Sequence, residues 1–304
     1  MNLTVAMKII GGFAIISLLL IITSVISLSN LNNINDATST QSELAIPTLS
    51  GSTELANELI QIGNLTLRAY YQTELSPLSG NLTSYHELNS SFSNNLKKLK
   101  VIVKNEQSLL SNLNKVDSVY TTLQSDIDSV FESRKTSIEQ RTLLIDNVDL
   151  LEEQADDTTT LMLDLADHDL AETKLQRAVE LGEQLETYLN AIVSSALEFR
   201  GLINPQSAEI VEKEINNSFN DVNRIIAEIN AELTANNADD VADDVNSSIS
   251  SLSRLLTSNE SIFNQKSTQL NALASATANL DAAEKDISNV KAILAKQVEL
   301  ANQT

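Results

Sequence analysis

The stretch NLTLRAYYQTE, from Asn64 to Glu74, sets Arg68 beside Tyr70 and Tyr71, two of the five tyrosines in the chain. A guanidinium is a planar fork of donors that matches a carboxylate and stays charged when partly buried. A tyrosine adds a hydroxyl and a flat apolar wall. The chemistry on offer is recognition of a small organic anion rather than bond making. On a helix whose inward stripe runs through Leu55, Leu59, Ile62, Leu65 or Thr66, and Ala69, Arg68 stands at the stripe's edge with the tyrosines on either side. Thr66, Asn64 and Gln72 add uncharged hydrogen-bonding groups. The same reasoning singles out Arg134, with Tyr120 and Arg141, on a later helix, at a height similar to Arg68. Further on it selects Arg177, Tyr188, Arg200 and Arg254, with Arg224. Arg177 and Tyr188 share a helix face but stand about 16 Å apart along the axis, too far to hold one small ligand together. The plainer role for each of these arginines is to lay its stem over an apolar seam and keep its charge in water or on an acid.

Other chemistry is thin. Asp239, Asp240, Asp243 and Asp244 cluster in NNADDVADDV, where acids in a helix's first turn are favoured by its dipole; a calcium loop would need a glycine and more oxygens. His86 and His168 are far apart in sequence. The NLT sequons at Asn64 and Asn81 are expected by chance in a chain this rich in asparagine and serine. There is no phosphate loop, no HExxH and no Ser-His-Asp order, so the chain reads as a non-enzyme with no cofactor or metal.

The elements that must position these residues are helices. Seven glycines and three prolines in 304 residues leave few places for a helix to stop. The formal net charge of -21 sets the surface against nucleic acid. The lack of cysteine permits an oxidising compartment.

The first segment is apolar. Ile9 to Leu28 carries no charge, and twenty helical residues span about 30 Å, the thickness of a bilayer's hydrocarbon core. A cleavable signal peptide would have a shorter core, although SLSN offers small residues. Lys8 is the one charge before the run and favours a cytoplasmic N-terminus. This gives residues 1–8 as cytoplasmic, 9–29 as a transmembrane helix, and 30–304 as an exported helical domain of a bacterial inner membrane protein.

Six helices are expected after the span: 30–74, 81–104, 106–167, 170–202, 206–235 and 240–304. Their stops are read at Pro77 with Gly80, near Asn105, near residue 168, at Gly201 with Pro205, and at LTANNADDV, with Pro47 a kink or the start of the exported bundle. Core stripes run through Leu175, Val179, Gly182, Leu185, Leu189, Ile192, Ala196 and Phe199; through Ile215, Phe219, Val222, Ile226, Ile229 and Leu233; and through Val245, Ile249, Leu252, Leu256, Phe263, Leu270, Leu273, Thr277, Leu280, Ile287, Val290, Leu294 and Val298. Two helices are about sixty residues and three about half that. Alternating directions then predict an all-α fold of two stacked four-helix bundles sharing the two long helices: a membrane-proximal one from about 30–135 and 272–304, and a distal one from 136–271. A single long antiparallel coiled coil would leave two helices without a place.

MKIIGGFAIISLLLIITSVISL, ELAIPTLSGSTELANELIQIGNLTLRAYY and ADDTTTLMLDLAD, in an otherwise helical exported chain, resemble the N-terminal span and bimodular helical sensor region of bacterial methyl-accepting chemotaxis proteins. The resemblance implies a small-molecule ligand such as an organic acid or amino acid, a homodimer in the lipid bilayer, and control of a cytoplasmic kinase signalling complex. It also implies a second span and a signalling hairpin beyond Thr304, reached by the last helix, whose displacement by 1–2 Å is the expected signal. The same features suit a histidine kinase's sensor region, or a membrane-anchored helical structural or interaction protein.

Overall fold

The computed structural model describes residues 41–166 and 175–302. The membrane segment read at 9–29, the break near 168 and His168 lie outside them. Among the described residues every element is helical, and no helix is long and apolar enough to cross a membrane. A short π-helical stretch, Gln41–Ala45, leads into α1 (Ile46–Tyr71). There follow α2 (Leu75–Ile102), α3 (Gln107–Ala166), α4 (Gln176–Gly201), α5 (Pro205–Ala235), α6 (Asp239–Thr257) and α7 (Ile262–Ala301).

Local chemistry explains several ends. Asn204 caps α5 by accepting from the Ser207 amide at 3.0 Å, and Pro205 follows at the first helical position, where no N–H is needed. The α5–α6 turn closes on Asn237 in the left-handed conformation (φ 57°), with the Ala238 amide donating back to Leu233 O at 3.0 Å.

Two expectations change, at the Pro77 turn and in the last helix, and Pro47 takes a definite place. The turn read at Pro77 and Gly80 falls instead at residues 72–74, and α2 runs through both residues. Pro77 lies in the first turn, where its missing donor costs nothing, and Gly80 is carried as a weak interior position. Pro47 lies in the first turn of α1, directly after the π-helical stretch, so the helix starts there. The last sixty-residue helix is two helices, α6 and α7, parted at Ser258–Ser261. There Ser258 Oγ accepts from the Glu260 amide and Ser261 Oγ from the Asn264 amide, while Asn264 Nδ2 donates to Ser258 O. Short polar side chains offer the backbone an alternative to the helix.

Contacts divide the described residues into two units. Unit 1 holds the chain up to Leu65, Ser84–Ser125 and the chain from Ala282 onward; unit 2 holds Thr66–Thr83 and Asp126–Asp281. Unit 1 packs Leu55, Leu59, Ile62, Leu99, Leu113, Leu123 and Leu294, with Phe92 stacked on Tyr120 at 3.9 Å. Its seam contains a buried amide pair: Asn112 Nδ2 donates to Ile293 O at 2.8 Å and to Gln297 Oε1 at 3.0 Å. Such a pair penalises any register in which the amides are not matched.

Unit 2 packs one continuous core from α3 to α7. Every residue of the α5 stripe is buried; of the stripe that begins at Leu175, before α4, all but the half-buried Val179 are buried, whereas on α7 Leu273, Ile287 and Val298 are half-buried and Thr277 is exposed. Gly182 lies against α3: a Cβ there would sit 3.1 Å from Met162 Cβ. The small residue therefore sets how closely α4 approaches α3. Gly80 has open space around it.

Two glycine substitutions should act in opposite directions. Gly182→Leu is expected to destabilise by roughly 1–3 kcal/mol through overpacking. Gly80→Ala is expected to stabilise by roughly 0.5–1 kcal/mol by removing backbone entropy. Urea unfolding of the two variants checks both signs.

Candidate functional site

Unit 2 contains an open cleft of about 780 Å³. It forms where two helices stop. The end of α1 supplies Tyr70, Tyr71 and Thr73, and the end of α4 supplies Arg200, Gly201 and Ile203. The walls are α3 and the start of α7. On α3 the lining residues Arg134, Ile138, Arg141, Ile145 and Asp149 recur at helical intervals on one face, with Ser137 beside them. From α7 come Gln269 and Leu273.

A helix end leaves carbonyls without partners, and its dipole favours a cation there. Both ends receive one. Arg134 Nη2 donates to the Gln72 carbonyl, just past the last turn of α1. Its guanidinium also lies over the Tyr70 ring, 5.7 Å from the centroid. Tyr70 is fixed in turn: its hydroxyl is 2.9 Å from Thr277 Oγ1, and its ring meets Tyr71 edge-on at 5.1 Å. At α4, Lys266 Nζ donates to Leu202 O at 2.8 Å, to Arg200 O at 3.0 Å and to Gln269 Oε1 at 3.0 Å. All three ammonium donors are used, and the Phe199 ring lies 5.7 Å away.

The three lining arginines differ. Arg134 is 8% exposed, has no carboxylate partner among the described residues, and keeps its Nε without a hydrogen bond. Burial lowers its pKa, the Tyr70 hydroxyl raises it, and the Arg141 charge lowers it again. A guanidinium stays protonated through such a shift. Arg141 is exposed and, among the described residues, forms no ion pair with a carboxylate. Arg200 pairs with Asp149, Nη1 to Oδ1 at 2.6 Å. Among the described residues Asp149 is the single carboxylate in the lining, against three guanidiniums. The arrangement can hold an anion between tyrosine rings and guanidinium donors.

Of the residues selected from sequence, the cleft brings together Arg134, Arg200, Tyr70 and Tyr71. Arg68 is exposed and does not line it, and Thr66 is buried away from the lining. Arg177 is exposed and pairs with Glu180 and Glu228 at 3.5 and 3.6 Å. Tyr188 packs against the core of unit 2, and Arg254 is exposed in the last turn of α6. Asp149, Gln269 and Lys266 were not selected. The interval pattern from Arg134 to Asp149 is the one sequence signal that ties Asp149 to the arginines. Among the described residues no group of three or more His, Cys, Asp or Glu could hold a metal ion.

A solved structure of the sensor domain of the V. parahaemolyticus histidine kinase sensor TorS is similar, with a TM-score of 0.56 and 11% identity over 84% of this chain and 99% of that one. The chain shares the fold of that helical sensor domain. A TorS sensor domain in complex with TorT in the presence of TMAO is matched at a TM-score of 0.49 and 13% identity, over 84% of this chain and 99% of that one. No protein-family model and no curated protein matches the sequence.

The Lys266 seal carries a pH signature. Burial, helped by the Arg141 charge, lowers its pKa from 10.5 to about 8. Its three acceptors favour the ammonium but do not outweigh that burial. Folding therefore disfavours the protonated form. The handicap is fully present below about pH 8 and fades as pH rises from about 8 towards 10.5, where the unfolded chain holds the extra proton. Urea unfolding should show wild type gaining stability relative to Lys266→Met through that window. Parallel pH profiles would show that the ammonium is not held down.

Proposed function

We propose that this chain is the ligand-binding sensor region of a bacterial transmembrane signalling protein, and that the cleft in unit 2 recognises a small organic anion. The observation that carries the reading is the concentration of arginine. Three of the chain's seven arginines line one cleft with one carboxylate, in a protein whose net charge is -21. Arg134 adds to it, because a buried guanidinium that merely covered a seam would point its charge to water or to an acid.

The likeness in fold to a histidine kinase's sensor domain supports a sensor of that kind at least as well as the sensor of a chemoreceptor. A periplasmic location, a homodimer, an anchoring span and a cytoplasmic kinase complex belong to the same proposal, as does a bundle in each unit. A ligand that prefers one packing of the helices around the cleft shifts the population towards it, which is all that signalling requires of this region. The competing reading, a membrane-anchored helical interaction protein, expects no small molecule to raise the melting temperature.

The test is a thermal-shift screen of carboxylates, amino acids and amines on the purified chain, followed by titration of variants. Arg141→Gln is the informative change, because Arg141 is exposed and its loss should leave the fold intact. Loss of a charged hydrogen bond predicts roughly 10- to 100-fold weaker binding of an anionic hit. Arg68→Ala should bind as wild type does, and a loss there would return Arg68 to the site. An Arg141→Gln protein with wild-type affinity would remove the cleft from consideration.

A further inference from the structure

We propose that Asp149 is an internal competitor for Arg200: it holds the guanidinium that a bound anion takes over, and so sets both the affinity and the charge preference of the cleft. The inference rests on the anion-site reading.

The contact between the two is a single one, Asp149 Oδ1 to Arg200 Nη1, rather than a bidentate fork. Asp149 is 60% exposed and Arg200 35% exposed, so the pair stands in water and holds weakly. The two ends of the arginine behave differently. Its backbone carbonyl is tied to Lys266, whereas its guanidinium is held by this one exposed carboxylate. The head of Arg200 can therefore change partner without disturbing the end of α4. A ligand oxyanion entering beside Arg134 and Arg141 meets Arg200 as a third donor, already turned to the lining and occupied by a partner that is easy to displace.

The other chemistry open to Asp149 is to accept an ammonium, which would suit a zwitterion. The charge balance weighs against it. With Asp149 and Arg200 neutralising each other, Arg134 and Arg141 leave the lining with two net positive charges. A cationic group would be repelled by both, and would have to take Asp149 from an arginine that already satisfies it.

The two roles give opposite responses to one substitution. Glutarate and glutamate share a carbon skeleton and differ by one ammonium group. Their dissociation constants for the full chain, for Asp149→Asn and for Asp149→Ala are measured by calorimetry. Competition predicts that both variants bind glutarate roughly three- to tenfold more tightly, the range expected for removing an exposed pair and a nearby like charge. It also predicts that glutamate binding does not weaken. The gain must run through Arg200, so Asp149→Asn combined with Arg200→Gln should show none over Arg200→Gln alone. Unchanged or weaker glutarate binding in the single variants overturns the proposal, as does a loss confined to glutamate or a gain that survives in the double variant. If neither probe binds wild type or variants, the anion-site reading fails and this inference falls with it. Glutarate binding that Arg141→Gln weakens, with no gain in Asp149→Asn, would leave that reading standing and remove only the competitor.

Discussion

A helix that stops inside a folded unit leaves its last carbonyls needing partners, and in unit 2 two such ends are sealed by buried cations. Arg134 from α3 seals the end of α1, and Lys266 from α7 seals the end of α4. The cleft depends on this. Without the seals the two ends would have to extend into neighbouring helices or open to water. With them, the chain leaves a space rimmed by last-turn residues, Tyr70 and Tyr71 on one side and Arg200 on the other. The charges that stabilise the backbone also make the site attractive to anions.

The rest of unit 2 keeps these ends in place. Gly182 lets α4 lie close to α3, and Phe199 meets Phe263 edge-on at 5.6 Å beneath the Lys266 ammonium. The aromatic floor both excludes water and accepts the cation, which explains how a lysine is held so deep with only neutral oxygens as acceptors. The cleft residues on α7 follow within its first four turns, so the polar break at Ser258–Ser261 sets where they begin.

Much of the helical order was legible because burial of one face leaves a pattern at intervals of three and four. The α5 stripe from Ile215 to Leu233 is the clearest case, and Asn204-Pro205 and Asn236-Asn237 announce their turns by local chemistry alone. Pro77 and Gly80 misled because a proline in a helix's first turn and an exposed glycine soon after it are both tolerated, and composition does not say where the first turn falls. The Ser258–Ser261 break was missed because serine, asparagine and glutamate also belong on exposed helix faces; only their side-chain hydrogen bonds to backbone distinguish the two. For the site, residue chemistry led to Arg134, Arg200, Tyr70 and Tyr71, but which arginines converge is a tertiary fact. Arg68 stood beside the tyrosines in sequence, yet it is exposed and does not line the cleft they share. Asp149 is one acid among 41, marked only by its helical interval from Arg134 and Arg141.

The contrast between the acidic chain and its arginine-lined cleft has a kinetic consequence. Far from the protein an approaching anion meets the field of the whole molecule, which repels it; within a few ångströms it meets guanidiniums. Salt shortens the reach of both fields to about 8–10 Å at physiological strength, so it removes the distant repulsion before it touches the close attraction. Moderate ionic strength should therefore hasten the encounter of anions with this protein, the reverse of the slowing seen when a protein steers its ligand from afar.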